Sequence, residues 1–211
     1  MVISEQINAF SSFFKVSRET IYSLKKYEEL IIHANKTLNL IGKSTINKIW
    51  ERHILDSFQV IDFIDKNDIS ITDLGSGAGF PGIVLAIAAE DRKIPLKINL
   101  IEKSKKKKIF LESVIKKLNL NAEVVCENIL DNEKKLMGNV FVARAFKPLP
   151  IILKLINNKA VYFNKFFIFL GKTGNKELLE ASKSWDIEYK QRVSVTSGDS
   201  IIIEVRKLKK K

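Results

Sequence analysis

Three alternating glycines, Gly75, Gly77 and Gly79, follow the acid Asp73 in the stretch ITDLGSGAGFPG (71–82), and they are the residues of this chain best suited to holding a ligand. Without a Cβ, each can take positive φ and let the backbone approach a bound group that a side chain would repel. The chemistry this suits is the capture of a nucleotide-like cofactor where a strand ends and a helix restarts, here at Pro81. Gly77, Gly79 and Gly82 satisfy GxGxxG, and Glu102 lies about twenty residues on, as a dinucleotide fingerprint asks. A short-chain dehydrogenase would also need a downstream YxxxK pair. The pair present, Tyr22 and Lys26, lies far upstream in a predicted helix, so a nicotinamide oxidoreductase would lack its chemistry.

Asp73, Gly75, Gly77 and Gly79 also read together as DxGxGxG, which resembles motif I of the class I S-adenosylmethionine-dependent methyltransferases. That resemblance implies that Asp73 serves the amino-acid end of the cofactor and that Glu102 receives its ribose hydroxyls.

The elements that must position these residues change character near position 66. Residues 1–65 read as a helical extension packed on the core: Ser17 can cap a helix whose Ile21, Leu24, Tyr27, Leu30 and Ile31 recur at helical spacing, with Lys25, Lys26, Glu28 and Glu29 on the other side. After a turn at Gly42, the period resumes over 46–63. Residues 66–211 alternate strands (near 69–74, 97–102, 122–126, 140–145, 166–170, 187–194 and 200–206) with helices. This predicts an α/β, Rossmann-like, seven-stranded and mostly parallel sheet, its last two strands forming a hairpin turning at 197–199. Ligands in such sheets lie beyond the carboxyl ends of the strands. Asp73, the stretch from Gly75 and Ser76 through Phe80, Glu102, Asn128 and Arg144 therefore share one crevice, with Asn128 and the backbone of Ile129 and Leu130 placed for an adenine. An arginine at the Arg144 position is costly unless paired, so it binds an anionic or polar ligand group or bridges to a neighbouring acid.

Composition narrows the setting. The chain has 211 residues, 45% of them hydrophobic, and a net charge of +12. That is enough apolar content for a buried core, and no apolar run reaches the eighteen or so residues of a membrane span. The N-terminal MVISEQINAF lacks the basic-then-apolar pattern of a leader. A cytoplasmic protein without a membrane partner is the expectation. Cys126, the single cysteine, sits in an apolar run and reads as a buried, inert thiol; with two histidines, His33 and His53, no metal site is expected. The excess charge, concentrated at Lys105, Lys106, Lys107, Lys108 and the tail, suits a polyanion such as RNA, though a solvated surface would look the same.

Three segments, ERHILDS (51–57), DLGSGAGFPG (73–82) and ARAF (143–146), occur in an order and spacing similar to the bacterial 16S rRNA guanine-N7 methyltransferase family, also called the glucose-inhibited division protein B family. The resemblance spans essentially the whole chain. It implies S-adenosylmethionine as cofactor, 16S rRNA or the small ribosomal subunit as partner, and methylation at N7 of one guanine (guanine 527 of the rRNA). Gly75, Phe80, the Ile129-Leu130 backbone and Arg144 are then cofactor contacts, and Arg52, the lysines 105–108 and Lys172 are candidate RNA contacts. A monomer is expected. On a helix, Arg52 and Asp56 are i,i+4 neighbours, as are His53 and Ser57. Either a local ion pair or the presentation of Arg52, His53 or Asp56 to cofactor or RNA follows. Guanine N7 has an in-plane lone pair and no proton, so no general base is needed, only alignment and exclusion of water. His53, Asp56 and Arg144 remain the catalytic candidates, and a carboxylate such as Asp56 or Asp73 could favour the cationic product. A non-catalytic RNA-binding or ribosome-assembly protein that keeps the cofactor pocket is the alternative.

Overall fold

A computed structural model describes residues 3–131 and 133–211; Met1 and Val2, at the head of the stretch read for a leader, lie outside them. Helices α1 (Ile3–Phe13) and α2 (Arg18–Leu38) come first. Ser17 caps α2 by accepting from the Thr20 amide. Asp91 then ties that cap to the core, its Oδ1 accepting from the Ser17 amide (2.9 Å) and the Thr20 hydroxyl (2.7 Å).

The segment expected to resume a regular helix over 46–63 is wound irregularly. A 3-10 stretch (Lys43–Lys48) passes into a π-helical turn (Trp50–Leu55), a short α3 (Asp56–Phe58) and a second 3-10 stretch (Gln59–Phe63). Side chains four apart do not stack across a π turn as they do on an α-helix. A second correction concerns Glu28, assigned above to the solvent face. It is buried and accepts from Trp50 Nε1 at 2.7 Å, so the apolar stripe of α2 packs around one polar anchor. Burial raises its pKa.

Seven strands follow: β1 (Ser70–Leu74), β2 (Lys97–Ile101), β3 (Ala122–Val125), β4 (Val140–Arg144), β5 (Lys165–Leu170), β6 (Trp185–Ser194) and β7 (Ser197–Lys210). They form one sheet in the order β3-β2-β1-β4-β5-β7-β6, parallel through β5, with β7 antiparallel to both its neighbours. The last two strands make the expected hairpin, but it turns at Val195 and Thr196 because β7 already begins at Ser197.

Helices α4 (Gly82–Asp91) and α5 (Lys105–Leu118) lie on the same side as α2; α6 (Leu149–Lys159) and α7 (Gly174–Ser182) cover the other. The strand residues obey period two with both faces apolar. Val140 and Val142 enter the first core with Tyr27, Trp50 and Leu111, while Phe141 and Ala143 enter the second with Leu153, Phe166 and Trp185. Helix α4 is buried from Gly82 through Ala89, as a helix sandwiched between sheet and extension must be. Cys126 departs from expectation: it is only half-buried at the end of β3, its Sγ 3.9 Å from the Lys103 carbonyl.

Candidate functional site

The glycine turn leaves β1 with Gly75 at φ +74°, Gly77 at +59° and Gly79 at +104°. The three glycines serve different ends. A Cβ on Gly75 would lie 2.2 Å from the Phe146 ring, and one on Gly79 would meet Ile83 and the Tyr27 hydroxyl at 2.6 and 2.7 Å. Their missing side chains admit the protein's own packing. At Gly77 the nearest atom to an added Cβ is the Gly75 carbonyl, 3.8 Å away, so only there does the vacancy face open space. The turn is held from several directions. Tyr27 donates its hydroxyl to the Ala78 carbonyl (2.8 Å), bringing α2 into the site. Glu102 accepts from the Gly77 amide (2.9 Å) on one oxygen and from the Ser104 amide (2.8 Å) on the other.

Asp73 lies beneath the turn and is 1% exposed. One oxygen accepts from the Gly82 amide at 3.0 Å, and Oδ1 has no hydrogen-bond partner. Burial pushes its pKa up to about 7, against the pull of the Gly82 hydrogen bond.

Arg144 closes the crevice from the end of β4. Its Nε lies 3.2 Å from Asp56 Oδ2, its Nη1 donates to His53 Nδ1 at 3.0 Å, and its Nη2 donates to the Arg52 carbonyl. Asp56 therefore pairs with Arg144, which overturns the local Arg52–Asp56 bridge weighed above. Its other oxygen is held by the Ser194 hydroxyl (2.6 Å) and by Gln59 Nε2 (3.1 Å), which reaches the hairpin. A guanidinium can only donate, so His53 Nδ1 is the acceptor and the ring proton sits on Nε2, 3.0 Å from Thr45 Oγ1. His53 stacks on Phe80 at 4.9 Å. Burial, then the charges of Arg144 and Arg52, lower its pKa to about 3. The residue after Arg144, Ala145, sits at φ +48°, a left-handed conformation that costs a non-glycine residue on the order of 1 kcal/mol.

A cavity of about 650 Å³ opens over the turn. Of the residues singled out from sequence, Gly75, Ser76, Gly77, Phe80, Glu102, Asn128, Ile129, Leu130, Arg144, His53 and Lys107 line it. Asp73 and Gly79 support it from behind. Arg52 and Asp56 line a smaller pocket of about 220 Å³ on the other side of Arg144. Lys105, Lys106 and Lys108 are outside it, and Lys108 is paired with Glu112 at 2.5 Å. Lys172 is solvent-exposed, 3.6 Å from Asp199. Sequence reasoning missed Leu40–Gly42, Lys103, Phe146 and Lys147 in the lining, and Tyr27 and Thr45 as supports. Tyr27 carried a signal only as one member of an apolar stripe.

The donor set fits a nucleoside bearing a charged amino-acid tail. Gly77 leaves room at the backbone, the Glu102 carboxylate faces the cavity as an acceptor for hydroxyls, and the buried Asp73 oxygen provides negative potential under the turn.

A family model described as "GidB: rRNA small subunit methyltransferase G" matches residues 20–203. A ribosomal RNA small subunit methyltransferase G from Pelagibacter ubique is 42% identical over 198 residues, covering 93% of this chain and 92% of its own. The protein of that name from Rickettsia felis is 38% identical over 196 residues, 93% and 98% of the two chains. Among solved structures, a TehB-like SAM-dependent methyltransferase from Corynebacterium glutamicum is similar with a TM-score of 0.56 at 15% identity, over 85% of this chain and 98% of that one. At that identity the likeness speaks for the fold.

Proposed function

Since this chain belongs to the rRNA small subunit methyltransferase G family and is a methyltransferase, we propose that it moves a methyl group from S-adenosylmethionine to N7 of one guanine in 16S rRNA. When bound, S-adenosylmethionine supplies a sulfonium methyl that an approaching lone pair can take. Gly77 and its neighbours hold the cofactor, Glu102 takes its ribose hydroxyls, and Asn128 with the Ile129-Leu130 backbone lies beside its adenine. Asp73 biases the far end electrostatically.

The observation that carries the choice of N7 is the state of His53. Its Nδ1 is occupied by Arg144, and the low pKa keeps it neutral and a poor proton acceptor. Guanine N7 carries no proton to remove, so a site whose imidazole is committed to holding an arginine suits it. Arg144 and Phe80 shape the reacting end, and Asp56 is committed to holding the Arg144 guanidinium.

The helical extension, residues 1–65, and the methyltransferase domain, residues 66–211, act as one unit, because Tyr27, His53 and Asp56 belong to the first and the groups they hold belong to the second. The protein works as a monomer in the cytoplasm, on rRNA or the small subunit. Among the described residues no helix is long and apolar enough to cross a membrane. Transfer of labelled methyl to rRNA, followed by nucleoside analysis, tests the reading. Label in 7-methylguanosine is expected; label in another nucleoside contradicts it, and cofactor binding without transfer favours a non-catalytic RNA-binding role.

A further inference from the structure

We infer that a second cavity, between the ends of β4 and β5 and helices α6 and α7, is the subsite for the target guanine, and that Glu177 reads its Watson–Crick edge. This rests on reading the first cavity as the methyl donor's site. The second cavity is about 630 Å³ and shares Ala145, Phe146 and Lys147 with the first. The two cavities therefore adjoin along Ala145, Phe146 and Lys147, where the Phe146 ring is braced on the glycine turn at the place a Gly75 Cβ would occupy. The strained Ala145 lies at the same junction.

The cavity suits a base that has been taken out of its stack, as chemistry on a nucleobase requires. Phe146, Phe169 and Pro148 give it flat apolar surfaces, and Lys147 and Lys176 are exposed on its lining, where a phosphate backbone would pass. Glu177, half-buried, supplies the polar contrast. Its Oε1 accepts from Thr173 Oγ1 (2.7 Å) and its Oε2 from the Leu149 amide (3.3 Å). Those bonds fix the carboxylate against α6 and leave lone pairs on both oxygens. Guanine carries two adjacent donors, N1–H and the N2 amine, on the edge opposite N7. A carboxylate that accepts both holds the ring with N7 facing away from α7, toward the first cavity. Adenine would place its N1 lone pair against the carboxylate and be rejected. Glu177 is therefore a specificity-determining residue that touches the base.

Small subunits carrying guanine or inosine at the methylated position test this, because inosine lacks only the N2 amine. The wild-type protein should prefer guanine about tenfold to a hundredfold in methyl transfer, and in RNA affinity measured with S-adenosylhomocysteine bound. Glu177→Gln should erase that preference while leaving cofactor affinity unchanged. The ratio is taken within one preparation, so partial unfolding does not alter it, and Glu177→Asp serves if the Gln variant does not fold. A preference retained in the variant overturns the inference. A wild-type protein that makes no 7-methylguanosine, although it binds the cofactor, overturns the functional reading beneath it instead.

Discussion

Arg144 and His53, 91 residues apart, meet at 3.0 Å with the guanidinium donating to Nδ1, and this contact makes the imidazole a support for the arginine. Asp56 holds the same guanidinium from its other side at 3.2 Å. Arg144→Ala would strand a carboxylate that is 8% exposed, at a cost of about 3–5 kcal/mol. Asp56→Ala should cost a similar amount, and the double variant should cost less than the two together by about 1–3 kcal/mol in urea unfolding. Strict additivity would mean that the pair does not act as one unit.

Gly75 and Gly77 should fail in different ways. Gly77→Ala places its Cβ in the open cavity, so it should fold with a loss of about 1–2 kcal/mol from the left-handed backbone, and lose cofactor binding. Gly75→Ala drives a Cβ into Phe146 and should lower the melting temperature further. Calorimetric titration with S-adenosylhomocysteine, paired with thermal melts, separates the two.

Acid should act on stability through two groups of opposite sign. An imidazole in the unfolded chain takes its proton near 6.5, whereas His53 in the fold resists until about 3. Its contribution is therefore fully present above pH 6.5 and is lost as pH falls toward 3. Asp73 has its pKa raised from 3.8 to about 7, so its contribution is present below 3.8 and is lost as pH rises through 7. His53→Gln should make the fall in stability between pH 6.5 and 4 shallower, and Asp73→Asn should make it steeper. Unfolding curves at half-unit pH steps read both slopes.

RNA affinity should depend on salt, and unequally on the lysines. Lys103, Lys107 and Lys147 line the cofactor cavity, so replacing one with alanine should reduce the slope of log affinity against log salt by about 0.7–0.9. Lys108, already paired with Glu112, should change it less. Equal effects at all four positions would assign the charge to a diffuse field.

Much of the sheet and the glycine turn could be read from the sequence because their signals are local: alternation along each strand, and glycines within a few positions of Asp73. What escaped the reading is long-range or irregular. Thr45, His53, Arg144, Asp56 and Ser194 form one chain of hydrogen bonds and an ion pair, and Asp56 and Ser194 stand 138 residues apart. No periodicity links them. The π turn over Trp50–Leu55 breaks the helical spacing that suggested an Arg52–Asp56 pair. Glu28 was misplaced because a charge on an amphipathic helix is assigned to solvent unless its partner is known, and Trp50 is 22 residues away. Cys126 follows β3, the strand at the sheet edge, where an apolar run does not guarantee burial.

The most direct test of the central claim is borohydride reduction and aniline cleavage of 16S rRNA after incubation of small subunits with the protein and S-adenosylmethionine, since that chemistry cuts RNA at 7-methylguanosine. One cofactor-dependent cut, at a single guanine, is the predicted result. Methyl incorporation without cleavage would show that the group goes to another atom, and would contradict the account.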